Sequence, residues 1–505
     1  GDSQAAEYAF SYDSPSQNAY GRLAAVSFGG YSWIYSYTPG GLVSSKSLRL
    51  TQGSSSATLT TSYQYDNEGK VLTMTSPTSY PPNPSGGGYT EAPGQTYTYS
   101  YDLMGRPAGL VQGGDPATTW VSNVQYGPAN ELLQIQIKVF PSSQQPAQYV
   151  EHRTYNSRLQ LTAITAQQPN MNLQYSYSPN QNNGQITQFR DTVSGEQVSY
   201  AYDSLNRLVS ATAASGAWGQ SYTYDGYGNL LEKTVTQGSA PRLSVAVAPA
   251  TNRVIGVTYD ANGNVIQEMN GTRLVYDAFN RARKVTFLAE CNYVYGPDNE
   301  RVETNCTDTG GPFIVLYGPD GRRLGAYSPS ADSNGRLYFS GAFQTVYFAG
   351  RPINVSTGKF LALDRLGSMR LSKTTQTTAG YYPYGEEQQA STTEGWNFAT
   401  YYRHPGIELD YAVNRYYSPR LGRFISPDPY RTSAGLENPQ SWNRYAYVLN
   451  DPVNFYDPDG LLEARPRSDY PDFGSLGPRA IQPTRPMAGT LQDWDDIHPV
   501  ARKIK

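Results

Sequence analysis

The feature that most constrains this chain is a short motif, Tyr-x-Tyr-Asp followed three residues later by Gly or Asn, that recurs along most of its length. Copies that keep the aspartate begin at Tyr63, Tyr99, Tyr200, Tyr222, Val257 and Leu274. Degenerate copies begin at Tyr175, Tyr293 and Tyr317. Self-similarity at a spacing of about 20 to 40 residues indicates an array of like units.

Each copy of the motif predicts one β-hairpin. In Tyr-x-Tyr the two rings project from the same face of a strand, because side chains alternate with period 2. The Asp starts a turn through bonds to its own backbone, and the Gly or Asn takes the positive φ of a tight hairpin. A lone hairpin is barely stable, so successive hairpins are expected to stack into one sheet. The alternative is an ordinary sandwich of Tyr-rich strands.

The composition agrees with a large, thin sheet and disfavours some partners. Charged residues make up 16% of the chain and the net charge is −3, which disfavours nucleic acid. The 44 Tyr residues outnumber 15 Phe and 6 Trp. Tyr suits a sheet whose faces are partly exposed to solvent, because its ring packs and its hydroxyl forms hydrogen bonds. No run of about 18 apolar residues is present, so no membrane-spanning segment is expected.

A series of ordered motifs follows the repeats. The motifs are Leu363–Arg370, Tyr381–Glu386, Leu409–Tyr411, Asn414–Pro419, Gly422–Pro429, Asn443–Tyr447, Asn450–Asn454 and Asp457–Leu461. With these motifs and the repeats, the chain resembles the RHS family, which includes bacterial Rhs proteins, the B and C components of insecticidal toxin complexes, and teneurins. Arg365 stands where the family has His. The resemblance implies an all-β fold: a YD-repeat β-hairpin array that spirals into a hollow shell or barrel-like cocoon, closed by the RHS-associated core.

Three regions are predicted from these patterns. Residues 1–345 form the YD-repeat shell, residues 346–461 form the RHS-repeat-associated core, and residues 462–505 form a Pro-rich C-terminal tail. The tail has too little apolar content to order itself. We therefore expect it to lie inside or against the shell.

The resemblance also implies a self-cleavage site of the aspartyl-protease type. The motif that precedes the cut, Pro-x4-Asp-Pro-x-Gly-Leu, is complete at residues 452–461, so the implied scissile bond is Leu461–Leu462. Such chemistry needs two close carboxylates that act as acid and base. Asp428 is the first candidate, with Asp451 as its partner, Asp457 as the rival for that place, and Arg423 as a charge-stabilising group. The alternative is structural, since Asp-Pro pairs are ordinary turn formers.

The two cysteines, Cys291 and Cys306, are expected to be bridged. The midpoint between them falls on the turn formed by Pro297, Asp298 and Asn299, so they would face each other across a hairpin. A disulfide indicates an oxidising compartment and hence export. Two sulfurs and scattered histidines disfavour zinc, and no metal or cofactor is expected.

The leading hypothesis is a secreted structural shell that encloses its own C-terminal segment. Further shell subunits are possible partners. The alternative is an extracellular adhesion or carbohydrate-binding protein at the cell surface, with host glycans as partners of exposed aromatic side chains. A hydrolase acting on other molecules is least favoured, because no cleft motif supports it; self-cleavage is the most enzymatic activity that the sequence suggests.

Overall fold

The structure is a computed structural model that describes residues 8–80, 89–139, 147–167, 170–355, 361–372, 380–389, 395–404, 406–429, 439–461 and 465–466. In these ranges the chain is built of strands with five short 3-10 turns and without α-helix. The all-β fold predicted from the repeats is therefore confirmed. Within the same ranges, none of the helical segments has the length and apolar character needed to cross a membrane.

Most of the chain is an antiparallel meander, in which each strand pairs with the next one in sequence. The first sheet contains 19 strands. They are β1 (Ala9–Tyr12), β2 (Leu23–Phe28), β3 (Tyr31–Tyr37), β4 (Val43–Gln52), β5 (Ser55–Tyr65), β6 (Val71–Thr75), β7 (Thr96–Tyr101), β8 (Pro107–Gln112), β9 (Thr119–Tyr126), β10 (Leu132–Val139), β11 (Ala147–Tyr155), β12 (Leu161–Gln167), β13 (Asn170–Tyr177), β14 (Ile186–Asp191), β15 (Gln197–Tyr202), β16 (Leu208–Ala213), β17 (Trp218–Tyr224), β18 (Leu230–Gly238) and β19 (Leu243–Ser244).

A short pair, β20 (Val247–Ala248) and β21 (Arg253–Val254), leads to a second meander of ten strands. These are β22 (Thr258–Tyr259), β23 (Val265–Gln267), β24 (Arg273–Tyr276), β25 (Ala282–Thr286), β26 (Glu290–Tyr295), β27 (Arg301–Cys306), β28 (Gly311–Tyr317), β29 (Arg323–Ala331), β30 (Leu337–Phe348) and β31 (Arg351–Val355).

The described residues after β31, from 361 to 466, form three smaller sheets, of two, five and two strands. They comprise β32 (Leu361–Leu363) with β33 (Met369–Ser372); β34 (Gly395–Trp396), β35 (Tyr402–His404), β36 (Leu409–Ala412), β37 (Arg415–Ser418) and β38 (Arg423–Phe424); and β39 (Phe455–Tyr456) with β40 (Arg465–Pro466). The 3-10 turns lie at Pro15–Gln17, Pro116–Thr118, Phe398–Thr400, Pro439–Trp442 and Val448–Asn450.

In the copies that keep it, the aspartate of the motif holds the hairpin turn. Asp203 Oδ1 accepts hydrogen bonds from the backbone N–H groups of Leu205 and Arg207, both at 2.9 Å, and Arg207 Nε donates to Asp203 Oδ2 at 2.7 Å. Asn206 has a φ of 63°, the left-handed conformation that explains Asn or Gly at this position. The same carboxylate-to-backbone bonds recur at Asp66, Asp102, Asp225, Asp277, Asp332 and Asp364.

In most copies, the second tyrosine of the motif ties its hairpin to the preceding one. Tyr202 Oη donates to the carbonyl of Ile186 at 2.8 Å, which lies in the return strand of the hairpin before it. The tyrosines that make the equivalent bond include Tyr65, Tyr101, Tyr126, Tyr155, Tyr177, Tyr224, Tyr295 and Tyr317. The abundance of Tyr over Phe thus has a structural reason, since Phe lacks the hydroxyl donor.

Later parts of the chain cover the face of earlier strands. Trp33 of β3 is fully buried in a cluster with Ile314 and Tyr327 of the second sheet. Leu208 of β16 is buried in another cluster with Tyr417 of the core. Full burial of one such large side chain contributes about 1.5–3 kcal/mol, so these shared apolar clusters help to hold the later segments on the repeat array.

Buried ion pairs fix the second sheet on the first. Lys46 Nζ lies 3.1 Å from Glu300 Oε1 and 4.1 Å from the centre of the Trp33 ring. Arg351 donates to both carboxylate oxygens of Glu151 at 2.8 and 3.0 Å. Removing one partner of such a pair leaves an unpaired buried charge and costs about 3–5 kcal/mol, so alternative placements of the sheets are penalised.

Candidate self-cleavage site

The segment before the implied scissile bond is a tight turn closed by Asp457. Asp457 Oδ1 accepts hydrogen bonds from the backbone N–H of Gly460 at 2.9 Å and of Leu461 at 3.3 Å. Gly460 has a φ of 72°, and a Cβ at this position would lie 2.7 Å from the carbonyl oxygen of Ala412. Glycine is therefore required for the backbone to approach the turn between β36 and β37, and Leu461 is held beside Asp457.

Arg415, the first residue of β37, brings two predicted aspartates together. Its Nη2 lies 3.4 Å from Asp428 Oδ2 and 3.2 Å from Asp457 Oδ2. All three side chains are buried, with 3%, 5% and 1% exposure respectively. Arg415 Nε also donates to the carbonyl of Gly460. Asp428 and Asp457 thus meet at one guanidinium that also binds the backbone next to Leu461.

The backbone on the other side of this guanidinium is fixed by the segment that contains Arg444. Arg415 Nη1 donates to the Arg444 carbonyl at 3.0 Å, and the Asp428 N–H donates to the same carbonyl at 2.9 Å. The Arg415 guanidinium stacks on the Phe424 ring at 3.6 Å. Because burial removes competing water, these contacts hold the planar guanidinium in one orientation.

Asp451, predicted as the partner of Asp428, has a different set of contacts. Asn454 Nδ2 donates to both of its carboxylate oxygens, at 2.8 and 3.0 Å. Asn454 in turn accepts the N–H of Ile186 in the first sheet at 2.9 Å. Burial raises the pKa of the Asp451 carboxyl to about 6. Asp457, the rival candidate, is the aspartate that shares Arg415 with Asp428, and Asp451 anchors the segment to the repeat array.

Arg423 also makes contacts outside this group. It donates to the Asn252 carbonyl at 2.7 Å and lies 4.6 Å from the centre of the Tyr445 ring. Burial lowers the pKa of its guanidinium. The arginine at the two aspartates is Arg415, which the sequence presents in the motif Asn414–Pro419 without marking it as functional.

Arg365, which replaces the family's His, also supports the segment. Its Nη1 donates to the carbonyl of Val453 at 2.6 Å, and its Nη2 donates to that of Asn454 at 2.9 Å. These two bonds fix the backbone three and four residues before Asp457. Arg365 thus helps to position the segment that leads to the turn closed by Asp457.

The chain beyond Leu461 is described only at β40. Phe455 of β39 pairs with Pro466, and Tyr456 pairs with Arg465, in antiparallel register. Residues 465–466 therefore lie against β39, a strand within the motif at residues 452–461. The rest of the predicted tail, residues 467–505, lies outside the described residues.

The two cysteines lie in the second sheet. Cys291 of β26 is directly opposite Cys306 of β27, and their Sγ atoms form a disulfide. Both are buried.

Comparison with known proteins relates this chain to RHS-repeat toxins. A family model described as RHS Repeat matches residues 182–217. Toxin subunit YenC1 of Yersinia entomophaga is 23% identical over 453 residues, which cover 74% of this chain and 46% of YenC1. The tRNA nuclease WapA of Bacillus subtilis is 29% identical over 283 residues, 51% of this chain and 12% of WapA. Toxin protein Tse5 of Pseudomonas aeruginosa is 27% identical over 276 residues, 48% of this chain and 19% of Tse5.

Solved structures share the fold. The Tc holotoxin pore of Photorhabdus luminescens, which includes TccC3, superposes with a TM-score of 0.70 at 20% identity, covering 92% of this chain and 25% of that one. The TcdB2-TccC3 crystal structure gives 0.68 at 19% identity, covering 90% and 26%. This chain thus spans less than half the length of the relatives and about a quarter of the solved chains.

Proposed function

Because this chain is an RHS-repeat protein, we propose that it is a section of a toxin-related shell that encloses its own C-terminal segment and cleaves itself after Leu461. The observation that carries the second part is the contact of Asp428 and Asp457 with Arg415, beside the backbone of Leu461.

The shell role rests on the continuous sheet and on the relatives. Each hairpin bonds to the next through a tyrosine hydroxyl, so adding repeats lengthens the sheet in one direction. A sheet of this kind can form the wall of a shell. The relatives with named roles are toxin proteins and nucleases, and TccC3 is found in complex with TcdB2. By analogy, further shell subunits are the expected partners of this chain.

Export of this chain is proposed on two grounds. Its disulfide requires an oxidising compartment or an oxidising step on the way out. Its relatives include a toxin subunit and a toxin protein, YenC1 and Tse5. The localisation that follows is secreted or attached to the cell surface.

The cleavage chemistry follows from the two carboxylates. In hydrolysis of the Leu461–Leu462 bond, one side chain would start as the ionised carboxylate and take a proton from the attacking water. The other would start as the protonated carboxylic acid and give its proton to the carbonyl oxygen or the leaving amine. Asp428 and Asp457 would divide these roles. Arg415 would stabilise the negative charge that develops on the tetrahedral intermediate. Its bond to the Gly460 carbonyl would hold the backbone before Leu461 beside the two aspartates.

A denaturing gel with intact-mass analysis tests the proposal. We expect two fragments from the wild type, divided between Leu461 and Leu462, and one full-length chain from Asp428→Asn and Asp457→Asn. Asp451→Asn is the matched control, because it is also a buried aspartate of the core but contacts Asn454 instead of Arg415, and it should still be cut.

Two outcomes would contradict the proposal in different ways. If wild type remains full-length, the proposal of self-cleavage is wrong. The shell role would then be tested separately, by whether the chain binds further subunits. A cut wild type with Asp428→Asn and Asp457→Asn also cut would show that the catalytic residues are others. Circular dichroism of each variant establishes that the loss of cleavage does not follow from unfolding.

A further inference from the structure

The disulfide of the second sheet lies next to a histidine from the core. His404 is the last residue of β35 and is about a hundred residues from the cysteines in sequence. One of its ring nitrogens and the Sγ atoms of Cys291 and Cys306 all lie within 4.8 Å of one another. All three residues are buried. The sequence disfavoured zinc because the histidines are scattered, but the fold brings this one to the cysteine pair.

The histidine is oriented by groups on both sides of its ring. Gly406 N–H donates to His404 Nδ1 at 3.1 Å, and His404 Nε2 lies 3.3 Å from Asp308 Oδ1. These contacts assign the ring proton to Nε2, which faces the carboxylate, and leave the lone pair on Nδ1. A histidine whose second nitrogen donates to a carboxylate is the usual arrangement at protein zinc sites, because the carboxylate fixes the ring and raises its basicity.

Gly406, two residues after His404, packs tightly against the turns that flank β26 and β27. A Cβ on Gly406 would lie 2.7 Å from the Ala289 Cβ and 2.8 Å from Asp308 Oδ2. The backbone N–H groups of Leu288 and Ala289 both donate to the Gly406 carbonyl at 3.0 Å. The core therefore contacts the turn between β25 and β26 and the turn between β27 and β28. His404 is thus held against the disulfide by more than its own side chain.

We propose that reduction of the disulfide opens a zinc site formed by Cys291, Cys306 and His404, with Asp308 as the group that orients the histidine. Two thiolates and one imidazole, with a fourth position for water, are a common zinc ligand set. In tetrahedral zinc with Zn–S bonds of about 2.3 Å, the two sulfurs stand about 3.8 Å apart. The Cα atoms are 4.0 Å apart, so rotation about the Cα–Cβ bonds provides that separation.

Opening the disulfide requires a two-electron reductant. A dithiol transfers two electrons to the S–S bond, giving two cysteine thiols and the oxidised dithiol. Zn²⁺ then binds as the two thiols release two protons. His404 coordinates as neutral imidazole through Nδ1, which gives up its bond from Gly406 N–H. The metal would join β26 and β27 to β35, whereas the disulfide joins only β26 to β27, so the reduced chain would keep its core attached to the shell. This inference does not depend on self-cleavage.

Cobalt binding by the full chain tests the site, because Co²⁺ bound to thiolates in tetrahedral geometry has strong visible and near-ultraviolet bands. We expect wild type reduced with a phosphine under argon to bind one Co²⁺ per chain with these bands, and Zn²⁺ to displace it. The oxidised wild type and the double variant Cys291→Ser with Cys306→Ser should give no such bands.

Three further variants identify the nitrogen ligand and its partner. His404→Ala should lose at least 100-fold in affinity, and Asp308→Asn should lose about 10–100-fold. His152→Ala, which changes an exposed histidine of the first sheet, should bind as wild type does. Thermal unfolding of the oxidised variants establishes that each one folds.

The proposal is overturned if reduced wild type gives no thiolate–cobalt bands, or if His404→Ala binds as tightly as wild type. It is also overturned if the reduced chain unfolds before it binds metal, since the site requires the folded contact between hairpin and core.

Discussion

The tyrosine hydroxyls of the repeat can be tested with two matched substitutions in the second sheet. Tyr276 and Tyr295 occupy the same position of the motif in neighbouring hairpins, and burial raises the pKa of both hydroxyls well above the usual value. Both are therefore neutral donors at any ordinary pH. Tyr295 Oη donates to the Ala282 carbonyl at 2.8 Å, whereas Tyr276 Oη has no hydrogen-bond partner among the described residues.

The two substitutions should have opposite effects. Tyr295→Phe removes a buried hydrogen bond that contributes about 0.5–1.5 kcal/mol and leaves a buried carbonyl short of a donor, so we expect a loss of about 1–2 kcal/mol in the free energy of unfolding. Tyr276→Phe removes a buried hydroxyl that lacks a partner, so we expect no loss, or a gain of about 1 kcal/mol. The difference between the variants should be about 2 kcal/mol.

Urea denaturation with the disulfide intact measures this difference. Every protein in the comparison also carries Asp428→Asn, so that all are measured as uncut chains. Their m-values should agree, because unfolding exposes the same surface in each. Equal destabilisation by Tyr276→Phe and Tyr295→Phe would refute the argument. It would mean that ring packing, rather than the bond from hydroxyl to backbone, explains tyrosine at this position.

Three further predictions concern the disulfide, the anchoring aspartate and the glycine of the cleavage motif. Replacing Cys291 and Cys306 by Ser removes a crosslink of sequence separation 15 and should cost about 3 kcal/mol, and an unchanged urea midpoint would contradict a bridged hairpin. Since the folded pKa of Asp451 is about 6 against 3.8 ordinarily, the folded chain holds this proton more tightly than the unfolded chain. The free energy of unfolding of wild type should therefore fall by up to about 3 kcal/mol as the pH rises from 3.8 to about 6. Asp451→Asn should remove this fall. The same fall in the variant would contradict the raised pKa of Asp451. Gly460→Ala should slow cleavage at least 10-fold by intact mass, whereas Gly395→Ala, where a Cβ meets nothing within 4 Å, should cut normally; equal cutting would count against the tight approach at Ala412.

The repeat unit was predictable because it is local. Tyr200, Asp203 and Asn206 lie within seven residues, and the strand, the turn and the positive φ follow from alternation and turn chemistry over that distance. The facing cysteines follow from the same hairpin geometry, since Cys291 and Cys306 are equally distant from one turn. The hydroxyl bond from Tyr202 to Ile186 needs only the neighbouring hairpin, although the motif alone does not specify it.

The choice between Asp451 and Asp457 required the tertiary structure. Both stand in Asp-Pro pairs of one segment, and local chemistry does not separate them. What separates them is how that segment docks. Asn454 binds the N–H of Ile186 in β14, and Arg365 binds the carbonyls of Val453 and Asn454, so Asp451 faces the array and Asp457 faces Arg415.

The sequence by itself thus determined the hairpins, their stacking order and the pairing of the cysteines, because alternation, turns and neighbouring strands act over short chain distances. Only the tertiary structure decided which carboxylate meets Asp428, that Arg415 joins them, and that His404 lies against the disulfide. These contacts join segments far apart in sequence, and their geometry depends on the burial of whole faces. No local pattern encodes that geometry, since the free energy that selects it is summed over the entire interface.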